Sequence, residues 1–184
     1  SVSVAREAMY DSTVGFYKIQ NSNGAVTDPT TGDLITPDET GYKEAALHST
    51  NLFSSLGTLS TSNGNTITSS ITSFSDSEMI APYASVHDTG QTYFSFTEAN
   101  ADGISHFREF GNGVIGLEDL YGGGDNDFDD LIFGFDLKLT VWFRASCSQK
   151  TYMKAINAFF INIDTFFVIL YLGNDKKHTK LFIK

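Results

Sequence analysis

The residues in this sequence that are best suited to chemistry are six carboxylates within thirteen consecutive positions. A run of three glycines separates the first two carboxylates from the other four. Carboxylates at this density repel one another if they converge without a cation, whereas calcium takes roughly six to eight oxygen ligands at about 2.3–2.6 Å. The glycines let the backbone turn sharply and aim its carbonyls inward. The spacing predicts a metal site, and magnesium or a solvated acidic turn remain as alternatives. The six are Glu118, Asp119, Asp125, Asp127, Asp129 and Asp130.

The known calcium-binding loops do not account for this spacing. In an EF-hand count starting at Asp125, position 6 is Asp130 where that loop requires glycine, and no flanking helix pair is indicated. The Gly-Gly-x-Gly-x-Asp period of a β-roll is present only as a single imperfect copy. In an extended backbone Asp125, Asp127 and Asp129 would lie on one side of the chain, and Asp130 would point away unless the loop curls around an ion.

The elements that must position this loop are short strands separated by turn residues. Strands are predicted around 14–19, 92–97, 104–110, 114–117 and 131–135, where aromatic and β-branched residues are frequent. Residues 79–84 are also expected to be an edge strand or the end of one, because Pro82 cannot donate a ladder hydrogen bond. This pattern predicts an all-β fold, an antiparallel β-sandwich of jelly-roll type.

One short helix is expected among the strands. Thr36 has the residue type of an N-cap, Pro37 suits the first helical position, and Glu39 would complete a capping box. The helix is therefore predicted over about 37–49, although Gly41 is unfavourable there.

Charge divides the chain into two parts. Residues 1–137 carry 20 acidic and four basic residues, whereas 138–184 carry two acidic and eight basic residues. We interpret 1–137 as the calcium-binding β-sandwich domain. The acidic domain repels phosphate backbones, so a nucleic-acid partner is not expected.

The tail, residues 138–184, has a different composition, rich in Phe, Ile, Leu, Asn and Lys. It is interpreted as a frameshifted or read-through stretch, and a pair of strands or an amphipathic helix is the alternative. No apolar run reaches the ~20 residues of a membrane-spanning helix. No signal peptide is visible at Ser1, so we expect a processed chain or a piece of a longer protein.

Three stretches resemble the domain of unknown function 4114 family, found in secreted bacterial proteins that include calcium-dependent adhesins of the RTX type. They are residues 98–108, 116–120 and 122–132, the last reading Gly-Gly-Gly-Asp-Asn-Asp-Phe-Asp-Asp-Leu-Ile. The resemblance covers roughly 10–137 and implies a β-rich fold that binds calcium beside its last strand. The tail has no counterpart in it.

The resemblance also implies which residues hold the ion. Matched by motif, Asp125, Asp127 and Asp130 are the first ligands, and Glu118 and Asp119 come next. Asp129 stands where the family often has Asn, and this difference keeps an oxygen ligand at the position. Two further candidates, Asn100 and Asp102, belong to an Asn-x-Asp-Gly turn that would close the site or form a second one.

Other functional residues are few. His106 is expected to bond to backbone or to a carboxylate, and Arg108 to pair with Glu118 or Asp119 or to be exposed. Because no nucleophile and base are apparent together, an enzyme is not expected. The expected function is a calcium-binding structural or adhesive module that is extracellular or on the cell surface. Its partner would be calcium and either a glycan or another domain of a larger protein. The alternative is a calcium-dependent carbohydrate-binding module with Tyr121 as a sugar platform.

Overall fold

The computed structural model describes residues 1–70 and 78–135, together with the backbones of two short strands in the tail. The strands of the main body are β1 (Val2–Arg6), β2 (Ser12–Ile19), β3 (Val26–Thr27), β4 (Leu34–Ile35), β5 (Thr66–Ser69), β6 (Met79–Val86), β7 (Gln91–Phe94), β8 (Phe107–Gly111), β9 (Val114–Leu117) and β10 (Leu131–Phe135). The helix α1 spans Tyr42–Ala46, and a 3-10 turn spans Thr97–Ala99.

Two antiparallel sheets form the body of the fold. The larger sheet has five strands in the order β5-β1-β10-β9-β8, and the smaller has three in the order β2-β6-β7. All the pairings in both sheets are antiparallel. For the residues that the structure describes, the predicted all-β, sandwich-like architecture with one short helix is therefore confirmed.

The main core lies between the two sheets. It combines apolar residues from β1, β9 and β10 of the larger sheet with residues from β2 and β6 of the smaller one. Val4, Leu117 and Phe133 are at most 1% exposed. Alternate residues of each strand face this core, as expected for sheets packed face to face. The ends of β9 and β10 are thus held in a rigid layer.

A second core covers the other side of the smaller sheet. Tyr17 of β2 and Phe94 of β7 pack there against Tyr42 of α1 and Val26 of β3. The Tyr17 and Tyr42 hydroxyls are 3.0 Å apart, and the Tyr42 hydroxyl donates to the Gly24 carbonyl at 2.7 Å. The helix and the β3–β4 pair therefore form a third layer, on the side away from the larger sheet.

The helix is shorter than predicted. The Thr36 N–H donates to the Glu39 carboxylate, at 2.6 Å, as a capping box would require. These residues nevertheless form a turn, because Gly41 adopts φ 91° and the helix begins only at Tyr42. The left-handed conformation of Gly41 interrupts the helical backbone that the sequence pattern suggested.

The strand containing Pro82 is also placed differently. The prediction was an edge strand or the end of one, whereas β6 is the central strand of the smaller sheet. Pairing with β7 runs only from Tyr83 to Val86, so Pro82 lies one position outside it. Its carbonyl accepts from the Ser95 N–H at 3.3 Å. Because the N and O of a residue in a strand point to the same side, the missing N–H faces the side where the β7 ladder has ended.

The interpretation of 138–184 falls outside the described residues, apart from the two strand backbones. These are β11 (Phe167–Leu170) and β12 (Thr179–Phe182), which pair antiparallel to each other. Within residues 1–70 and 78–135, no helix is long and apolar enough to cross a membrane.

Candidate functional site

The acidic loop, residues 118–130, connects β9 to β10. These strands are neighbours in the larger sheet, and the end of β9 pairs with the start of β10. Both ends of the loop therefore lie at the same end of these two strands. Its glycines have positive φ angles of 80°, 85° and 46°, which allow the sharp turns that were predicted. Asn126 and Phe128 also have positive φ angles, 61° and 64°. This conformation is uncommon for residues other than glycine, particularly for one as bulky as Phe.

Three carboxylates of the loop converge. One oxygen each from Glu118, Asp125 and Asp127 lie within 4.8 Å of one another. Glu118 is only 1% exposed, whereas Asp125 and Asp127 are exposed. Ligands at about 2.3–2.6 Å from one calcium ion are separated from each other by up to about 5 Å. The three oxygens are therefore close enough to contact the same ion.

Two further predicted ligands line the same cleft. Asp129 and Asp130 border it together with the three converging carboxylates, and Glu7 and Asn63 border it from other segments. A cation here would be surrounded by hard oxygen donors, the type that calcium prefers. The residues present therefore fit a calcium ion, with the remaining positions available to carbonyl oxygens or water.

The electrostatics of Glu118 reflect this crowding. Burial, together with repulsion from Asp130 and Asp125, raises the pKa of Glu118 to about 7. Hydrogen bonds from the backbone of Leu120 and Asn126 act in the opposite direction but do not compensate. The protein thus holds a carboxylate where its charge is unfavourable unless a positive charge is nearby.

Asp119 lies outside the converging group. It is 2% exposed, and its Oδ2 accepts a hydrogen bond from the Ser12 hydroxyl at 2.8 Å. Burial raises its pKa to about 6, although the bond from Ser12 lowers it and the proximity of Asp130 raises it further. The Asp119 N–H donates to Asp130 Oδ2 at 2.8 Å. Asp119 therefore joins the start of the loop both to its end and to β2 in the other sheet.

The amide of Asn100 bonds to the backbone through both its oxygen and its nitrogen. Its Oδ1 accepts from the Phe94 N–H at 2.7 Å, and its Nδ2 donates to the carbonyls of Phe94 and Ile104 at 3.0 and 2.8 Å. Asn100 is also buried. The structure places this predicted ligand as a support for the turn that follows β7.

Asp102 and His106 contact the acidic loop at two points. His106 Nδ1 lies 2.7 Å from the Glu118 carbonyl, and its Nε2 lies 2.9 Å from Asp102 Oδ2. The Gly122 N–H also donates to Asp102 Oδ2, at 3.0 Å. Burial raises the pKa of Asp102, but the bonds from Gly122 and His106 outweigh this, so its pKa is lowered overall. His106 thus contacts backbone and carboxylate as predicted, and the Asn-x-Asp-Gly turn braces the loop.

Sequence reasoning missed the role of Phe128. Phe128 is 4% exposed, and the Arg108 guanidinium carbon lies 3.8 Å from the centroid of its ring. Arg108 Nη1 also donates to the Asn126 carbonyl at 3.2 Å. Arg108 therefore stacks on Phe128. One of the two expectations was that it would pair with Glu118 or Asp119 instead. Phe128 is the one apolar residue among 125–130. That isolated apolar residue was the sequence feature that could have predicted a buried contact for the loop.

Apolar side chains are exposed next to the cleft. Met9 is 93% exposed, Leu120 40% and Tyr121 60%. Tyr121 follows directly on Leu120, which lines the cleft together with Met9. Tyr121, which the sequence suggested as a sugar platform, is thus an exposed aromatic beside the glycines.

Comparisons with known proteins connect this site to a family. No curated protein and no solved structure matches the chain. The family described as Domain of unknown function (DUF4114) matches residues 11–138. That range contains both the acidic loop and the Asn-x-Asp-Gly turn, which carried the resemblance in the sequence. The match covers more than half of the 184 residues, and the chain belongs to the DUF4114 family.

Proposed function

We propose that this chain is a calcium-binding structural or adhesive module of a secreted or cell-surface bacterial protein. The observation that carries the proposal is the convergence of Glu118, Asp125 and Asp127 oxygens within 4.8 Å, one of them on a buried carboxylate. Three negative charges so close together are costly without a cation.

The donor set supports calcium over magnesium. Magnesium demands near-octahedral geometry at about 2.0–2.1 Å and usually keeps several waters. Here six carboxylates line one cleft, and two of the converging three are exposed on a loop. A larger ion with adaptable coordination suits such a loop better.

The surroundings of the cleft support a binding role over catalysis. Both ring nitrogens of His106 already have partners, the Glu118 carbonyl and Asp102. A general base needs a nitrogen within reach of the proton that it abstracts from a substrate. With both nitrogens engaged inside the protein, His106 serves better as a brace for the loop.

Thermal unfolding of the full chain, in millimolar calcium and in chelator, tests the proposal. An ion that binds only the folded state at 100 times its Kd stabilises that state by about 2.7 kcal/mol. We expect a clearly higher midpoint with calcium and a smaller effect of magnesium at equal concentration. Identical midpoints in calcium and chelator would refute calcium binding.

Calcium-dependent carbohydrate binding is the second candidate, favoured by the exposure of Tyr121, which follows the cleft residue Leu120 in the loop. An aromatic ring next to a cation could stack on a sugar while the cation binds its hydroxyls. A glycan array with calcium, repeated in chelator and with Tyr121→Ser, separates the two functions. Chelator-sensitive binding to one sugar class that Tyr121→Ser abolishes supports the second candidate. Silence across the array supports the structural role.

A further inference from the structure

The acidic loop folds back over the outer face of the β8–β9 hairpin. Ile115 and Leu117 face the core, so Gly116 between them faces outward. A Cβ at Gly116 would collide with the carbonyl oxygen of Phe128 and would lie 2.5 Å from the Phe110 ring. The loop backbone therefore rests directly on the sheet, at a position that only glycine accommodates.

Phe128 fixes the loop at this point. Phe128 is 4% exposed, although residues 125–127 before it are exposed. Its φ of 64° is unfavourable for a bulky residue, so its surroundings must hold it there. The guanidinium of Arg108, on β8, covers the ring at 3.8 Å. A cation over an aromatic face is attracted by the ring electrons.

Asp127 lies between the two residues that this contact holds. Arg108 donates to the carbonyl of Asn126 on one side of Asp127 and stacks on Phe128 on the other. The Asn126 N–H in turn donates to Glu118 Oε2 at 3.1 Å. The contact to Arg108 thus constrains the backbone that carries Asp127 and adjoins the buried Glu118.

We propose that Arg108 and Phe128 form a positioning pair that holds Asp127 and Asn126 in the geometry needed for cation binding. The inference rests on the proposed calcium site. Arg108 is itself positively charged, so a role through charge alone and a positioning role predict opposite effects on cation binding. If Arg108 acted only through its charge, its removal would relieve repulsion and strengthen calcium binding. If Arg108 positions the loop, its removal weakens binding although no ligand is lost.

Isothermal titration of the full 184-residue chain with calcium chloride tests the claim. We expect Arg108→Ala to lower calcium affinity about three- to tenfold. Arg108→Lys should also weaken binding, because an ammonium has neither the planar stacking face nor the guanidinium fork. Lys43→Ala is the matched control. It removes one exposed positive charge from α1, in the layer beyond the smaller sheet, and should leave affinity unchanged.

Phe128→Leu completes a double-mutant cycle with Arg108→Ala. Leucine still fills the site but gives no ring to the guanidinium. If the two residues act through one contact, the double variant should bind calcium about as well as the single variant that has the lower affinity. Fully additive losses would overturn the pairing. If Phe128→Leu fails to fold, the two Arg108 variants alone decide.

The outcomes separate this inference from the function on which it rests. Absence of calcium binding by the unsubstituted chain overturns both. Normal binding by the unsubstituted chain, with equal or tighter binding by Arg108→Ala, overturns the positioning role alone. A lower unfolding midpoint of Arg108→Ala in chelator, at unchanged calcium affinity, would show a purely structural contact and would also overturn it.

Discussion

Replacing Glu118 by glutamine should have opposite effects in the presence and absence of calcium. Without an ion, the substitution removes a buried charge that is crowded by Asp125 and Asp130, so the folded state should gain stability. With calcium, it removes one of the three converging ligands, so the ion should bind more weakly. Glutamine keeps an oxygen that can accept from the Asn126 N–H, which limits other disturbance.

The size of the effect without calcium follows from the raised pKa. The pKa of Glu118 rises from an ordinary value of 4.5 to about 7. Because a difference of one in pKa is worth about 1.36 kcal/mol, and solvent screens the exposed Asp125, the ionised side chain destabilises the fold by roughly 1–3 kcal/mol.

The pH dependence has a definite sign. Between pH 4.5 and about 7 the folded state binds the Glu118 proton and the unfolded state does not. Protonation of Glu118 therefore stabilises the folded state fully below pH 4.5, and this stabilisation is lost as pH rises to about 7. In chelator, the unsubstituted chain should lose stability over this interval, and Glu118→Gln should lose less.

Urea unfolding at pH 5 and pH 8, in calcium and in chelator, measures these effects. Glu44→Gln serves as the control, since Glu44 is an exposed carboxylate on α1. At pH 8 we expect Glu118→Gln to be more stable than the unsubstituted chain in chelator, and to gain less from calcium. A variant that is less stable in chelator and gains as much from calcium would refute the reasoning.

Two further substitutions test the assignment of ligands. Asp127→Ala should lower calcium affinity at least tenfold, about 1.4 kcal/mol, whereas Asp33→Ala, an exposed carboxylate in the turn between β3 and β4, should leave it unchanged in the same titration. Asn100→Ala should cost roughly 2–4 kcal/mol of stability in urea unfolding, because it leaves backbone groups of Phe94 and Ile104 without partners. Its calcium affinity, measured where the variant is folded, should stay within about twofold, whereas a tenfold loss would support Asn100 as a ligand.

Local patterns predicted the elements around the loop well. The expected strands at 114–117 and 131–135 match β9 and β10 residue for residue. Both are bounded by strong signals, a Gly-Asn-Gly turn before the first and the acidic loop between them. Alternating apolar residues then specify which side faces the core.

Features that depend on distant segments were not predictable in this way. The position of β6 between β2 and β7 depends on partners from other parts of the chain, and no local pattern specifies them. Pro82 is tolerated there only because the β7 ladder begins at Tyr83. The helix depended on a balance between a capping box and Gly41 in which the backbone preference of glycine prevailed.

The candidate site shows the same division. The acidic loop was identified from composition and from motif resemblance. Which carboxylates converge could not be read from spacing, because the loop turns at three glycines and at two further residues with positive φ. Regular alternation would have grouped Asp125, Asp127 and Asp129. The turns instead bring Glu118, from the end of β9, beside Asp125 and Asp127.

The contacts of the loop with both sheets bear on a structural role. The Asp119 carboxylate accepts a hydrogen bond from Ser12, at the start of β2. The Asp130 carboxylate accepts from the Asp119 N–H. The backbone carbonyl of Asp130 accepts from the Glu7 N–H. The loop therefore contacts the larger sheet, which supplies both of its ends, and the smaller sheet through Ser12. An ion that orders the loop should consequently restrain both sheets. Its stabilising effect should then appear in the global unfolding of the sandwich, which is the property that a calcium-stiffened module requires.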